Sequence, residues 1–80
     1  MKAKIEFVRI EGPGSNDATE PEVVYAIYPN DGDGVYRKNT WHVRVALSLI
    51  GLNDEYNHSL NEIIKAGKEM VTLVMDIHED

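Results

Sequence analysis

Eighty residues with a formal net charge of −6, 42% of them hydrophobic and 28% charged, have the composition of one folded domain and not of a disordered tail. The acidity argues against general binding to DNA, RNA or anionic lipid, which runs on Lys and Arg neutralising phosphate. The lack of cysteine excludes disulfides and thiolate metal sites and points to a reducing cytoplasm.

The start, Met1-Lys2-Ala3-Lys4-Ile5-Glu6-Phe7, carries charges where a secretion signal needs an apolar core. No window reaches the ~18 uncharged apolar residues of a membrane span. Residues 2–10 are expected to form the first strand, with Ile5 and Phe7 on one side; Val8 and Ile10 break strict alternation. Residues 11–21 hold the Gly, Pro, Asn, Asp and Ser that turns demand. Residues 22–29, Glu22-Val23-Val24-Tyr25-Ala26-Ile27-Tyr28-Pro29, read as a second strand, β-branched and aromatic with Pro at the exit. Asn30-Asp31-Gly32-Asp33-Gly34 is the strongest turn signal, because Asp-Gly favours the positive φ that hairpins use. Val35-Tyr36-Arg37-Lys38 begins the return.

Residues 40–50 give the clearest period of two. Trp41, Val43, Val45, Leu47 and Leu49 alternate with His42, Arg44, Ala46, Ser48 and Ile50, which predicts a strand with one buried side ending at Gly51. Asn53 or Asp54 can cap a helix after that strand, and Ser59-Leu60-Asn61-Glu62 matches a capping box. Tyr56, Leu60, Ile63 and Ile64 fall on one helical stripe, and Gly67 is read as the stop. Residues 70–78 fit two patterns. As a strand, Val71, Leu73, Met75 and Ile77 share a face. As a helix, Glu62, Lys65, Glu69, Thr72, Asp76 and Glu79 make a polar stripe. The strand is preferred, because Gly67 costs a continued helix about 1 kcal/mol and Asp76, Glu79 and Asp80 would sit at the unfavourable end of its dipole. The expected fold is α+β in the order β-β-β-α-β: a small, mostly antiparallel sheet with one helix on one face. A right-handed crossover would bring the last strand in parallel to its neighbour.

Familiar chemical motifs do not fit. An EF-hand with its glycine at Gly34 would start at Pro29 and end at Thr40, neither of them the carboxylate ligand needed there. His42, His58 and His78 have no HExxH or zinc-finger spacing. Ser15, Ser48 and Ser59 lack a nucleophile-elbow context, and Gly12-Pro13-Gly14 lacks the third glycine and the helix of a phosphate loop. Val45–Asn53 superficially resembles a helix-turn-helix, but its second helix would open with Asp54-Glu55, which phosphate repels. No catalytic residues, cofactor or metal are assigned.

The remaining candidate site is Tyr28, Tyr36, Arg37, Lys38, His42 and Arg44. Tyr36, His42 and Arg44 share parity in the expected hairpin, and aromatic groups beside guanidinium suit a protein contact or a nucleotide. The competing reading is an ordinary solvated sheet face. The first functional expectation is a non-enzymatic regulator or inhibitor that occupies a basic surface on another protein. This is the general character of small inhibitors carried by phages and mobile elements. The alternative is a small-ligand or nucleotide-binding domain whose pocket forms between the copies of a homodimer.

Overall fold

The computed structural model describes residues 2–12, 20–30, 41–51 and 59–79. Its elements are β1 (Lys2–Glu11), β2 (Glu22–Pro29), β3 (Trp41–Ala46), a 3-10 turn η1 (Leu47–Ile50), α1 (Leu60–Met75) and β4 (His78–Glu79). The expected turn over 31–34, the return at 35–38 and the helix start around Tyr56 lie outside the described residues.

The unbroken apolar run Val23-Val24-Tyr25-Ala26-Ile27 takes the place such a run requires, a strand covered on both sides. β2 pairs antiparallel with β1 and with β3, and all five residues of the run are buried. β4 adds beyond β1 in parallel, through Lys2 opposite His78 and Ala3 opposite Glu79. The order is β3-β2-β1-β4, so the sheet is mixed where a mostly antiparallel one was expected. The cause is the crossover: η1 and α1 carry the chain from one edge of the sheet to the other. At 1.5 Å per residue a 16-residue helix is about 24 Å long, enough to cover the roughly 14 Å between outer strands of a four-stranded sheet.

The irregularity in the first strand has a structural reason. A bulge between Phe7 and Arg9 leaves Val8 out of the ladder. Before it, Ala3, Ile5 and Phe7 face the helix. After it the parity flips, so Ile10 pairs with core residue Val23 while Arg9 and Glu11 turn to the opposite face.

Two expectations are corrected. The third strand ends at Ala46, not Ile50. Leu47 N–H donates to the Pro21 carbonyl at 3.1 Å, Ser48 N–H donates to the Glu20 carboxylate at 3.0 Å, and Gly51 closes the turn at φ 74°. Leu47 is thereby buried while Leu49 is 66% exposed, although one strand would have put both on the same face.

The second correction concerns residues 70–78, which are helical to Met75 and leave only His78–Glu79 as strand. Gly67 does not stop the helix. The Tyr25 ring lies against it, and a Cβ there would meet two ring carbons at 3.0 Å and overlap the hydroxyl. Tyr25 Oη donates to the Ile64 carbonyl at 2.6 Å, and Phe7 meets the same ring edge-on at 6.4 Å. Ile63, Gly67 and Val71, each four residues apart, form the buried stripe of α1. Burying the Ile63 and Val71 side chains stabilises by about 1.5–3 kcal/mol each, which outweighs the ~1 kcal/mol propensity cost of glycine. The start follows the capping box, with Ser59 Oγ accepting from Glu62 N–H. At the end Asp76 adopts φ 51°, a conformation that Asp tolerates, and Ile77 N–H donates to the Thr72 carbonyl at 3.0 Å. That closure and the buried Ile77 behind it hold Asp76 at the helix end despite the dipole.

Candidate functional site

The sheet face away from α1 carries three of the residues singled out from sequence. Ala26 stands between Glu6 and His42, Val24 between Arg9 and Arg44, and Tyr28 opposite Lys4. Alternation therefore puts Tyr28, His42 and Arg44 on one face, with Tyr28 half-buried and the other two exposed. Tyr36, Arg37 and Lys38 lie outside the described residues.

Arg44 on this face is already engaged. Its Nε donates to Glu11 Oε2 at 3.1 Å, and Arg9 Nη2 donates to Glu11 Oε1 at 2.6 Å. These two guanidinium groups, Arg44 first, pull the Glu11 carboxyl down to about 2. An anionic ligand reaching Arg44 would have to compete with a carboxylate fixed in place by the strand register.

The other side of the molecule holds a different surface. One wall is β3, one is η1, and the third is the C-terminal half of α1. Here lies an open groove of about 270 Å³ lined by Val43, Arg44, Val45, Leu49, Met70, Val71, Val74 and Met75. A second cleft, about 360 Å³, continues from it past Leu49 and Met70 to Ala66, Glu69 and Leu73. Leu73 is 79% exposed and Val74 72%, and Trp41 at the head of β3 is half exposed. Single exposed apolar residues are ordinary, but these lie together around one groove.

Helix periodicity explains the surface. At 100° per residue, the polar stripe leaves an apolar arc of about 200°, twice the width that packing on one layer needs. The sheet covers the part with Ile63, Gly67 and Val71 and leaves Leu73 on the uncovered flank; Val74 shares the angular range of the buried stripe but is 72% exposed in the helix's last turn. The signal is present in the sequence as the narrowness of the polar stripe, and reading these residues as a strand hides it. Among the described residues, no three His, Asp or Glu side chains gather as metal ligands, and no helix is long and apolar enough to cross a membrane.

The chain matches no protein-family model, no curated protein and no solved structure at a significant level.

Proposed function

We propose that this protein is a small regulator or inhibitor that works by occupying the surface of another protein, without catalysis, and that the groove between β3 and α1 is its docking face. The observation that carries the reading is the exposure of Leu49, Leu73 and Val74 around a cleft walled almost wholly by aliphatic and thioether side chains. Covering it releases water from apolar surface, the main driving force of protein association. The net charge of −6 adds long-range attraction towards a basic partner and speeds encounter. The absence of cysteine fits work in the cytoplasm.

The test is affinity capture from the native source with three baits: the natural chain, Val74→Glu, and the pair His42→Ala/Arg44→Ala. The expected result is a stoichiometric partner kept by the natural chain and by the His42/Arg44 variant and lost with Val74→Glu. Loss with the His42/Arg44 variant instead would move the docking face to the side of the sheet away from α1. No stoichiometric partner at all would sink the reading.

A further inference from the structure

The groove is not simply an apolar hollow, because one of its walls is the border of the sheet. Among the described residues, β3 is the outermost strand on that side. Three consecutive residues of it, Val43, Arg44 and Val45, line the groove. Side chains alternate along a strand, so one face alone cannot present three in a row. The Arg44 guanidinium is on the opposite face with Glu11. The groove therefore wraps the edge of β3, where a strand carries the main-chain donors and acceptors of its unpaired side. Of the devices that close an edge to pairing, β3 has neither Pro, Lys nor a bulge, and its one charged side chain, Arg44, is turned to the opposite face with Glu11.

The border of the groove on the helix side is acidic. Glu62, Glu69 and Asp76 recur every seven residues, which sets them in one row along α1 beside Ala66 and Leu73, and all three are exposed. Glu69 itself lines the second cleft. Of the helix lysines, Lys68 lies on the far flank, paired with Glu79 at 2.7 Å, and Lys65 stands behind the acidic row as seen from the groove.

We infer that the groove takes an extended segment of another protein, apolar at alternate positions and flanked by Lys or Arg, which pairs with the outer edge of β3 as an added strand. The inference rests on the groove being the docking face. Side chains on one side of the added strand would enter the cleft by Leu49, Met70 and Val74. Its flanking cations would meet Glu69. Main-chain pairing supplies affinity and the alternate pockets supply selectivity. A second copy of this chain fits less well, since each copy brings a charge of −6 and an acidic row to the same place.

The test is selection from a display library of random segments of about nine residues, long enough for a strand and its flanks. The full chain and Val74→Glu serve as baits, and the side chain at 74 is exposed enough for both to fold alike. The expected winners alternate apolar and polar positions and are rich in Lys and Arg. Their binding is expected to slow hydrogen exchange at β3 amides and to change the fluorescence of Trp41, the single tryptophan. It should also weaken by about tenfold or more in Glu69→Lys. Winners of helical period, or protection confined to α1, would overturn strand addition and leave the docking face standing. If no segment prefers the natural chain over Val74→Glu, the inference fails; whether the docking face fails with it is read from the capture experiment. A dimer in sedimentation that Val74→Glu dissociates would assign the groove to a second copy and overturn the proposal.

Discussion

Among the described residues, the sheet finishes its two edges in opposite ways. At β4 the edge is two residues long, His78 and Glu79, and Glu79 is tied back to Lys68 on the helix. Behind it Ile77 is buried, so the short strand is anchored from inside. At β3 the edge is six residues long, its head carries a half-exposed tryptophan, and an apolar groove runs beside it. A short charged edge gives another strand little to pair with, whereas a long one beside an apolar groove gives it both a ladder and a pocket. One helix serves both edges: α1 spends part of its apolar arc on the sheet and leaves part uncovered beside β3.

Substitutions can break this contrast. The largest effect is expected at the anchored edge, where Ile77→Ala should remove about 3 kcal/mol in urea unfolding by opening a cavity in the core. The matching change on the groove side, Leu73→Ala, should stay within about 0.5 kcal/mol, because Leu73 is 79% exposed. Equal losses would mean that the groove flank is packed and the contrast false.

The helix position common to both edges comes next. Gly67→Ala should lower stability by about 2 kcal/mol, since the new methyl meets the Tyr25 ring. At an exposed helix site the same change would raise stability by about 1 kcal/mol. Tyr25→Phe should cost about 1 kcal/mol for the lost bond to Ile64. Because the two residues touch, the double variant should fall short of the sum.

The smallest effect concerns the sheet face away from α1. Glu11 has its pKa lowered from 4.5 to about 2, so its contribution is complete above pH 4.5 and fades as pH falls towards 2. Melting temperatures followed over that window should decline less steeply for Glu11→Gln than for the natural chain. The difference should shrink in high salt, as expected of a charge cluster near the surface. An unchanged slope would show that the Arg9–Glu11–Arg44 cluster adds nothing to holding β1 and β3 around β2.

Much of the fold is local and legible in the sequence. The strand over 22–29 is expected from β-branched and aromatic residues bounded by Pro29, and its observed limits are the same. The Ser59 cap is expected from the chemistry of one hydroxyl and one amide. The broken alternation at Val8 is visible as an irregularity, but only pairing with β2 shows it as a bulge that redirects Ile10 inward. Of the site picked from sequence, His42 and Arg44 share a face by strand parity, and the register that sets Ala26 opposite His42 brings Tyr28 to the same face. That Arg44 is engaged by Glu11 depends on a contact 33 residues distant.

What sequence by itself determined was the kind of each well-patterned segment: β1, β2, the start of β3, and a helix beginning after Ser59. Those depend on side-chain period and on caps a few residues away. Tertiary structure decided the rest. Residues 70–75 satisfy both the period of a strand and that of a helix. In the helix, Gly67 lets the Tyr25 ring, 42 positions earlier in the chain, pack against it, and Val71 is buried with Ile63 on the same stripe. The same packing set which part of α1 the sheet covers, and left Val74 beside β3 and Leu73 beside the 3-10 turn. A local period states how wide an apolar face is; only the partner layer fixes how much of it is buried.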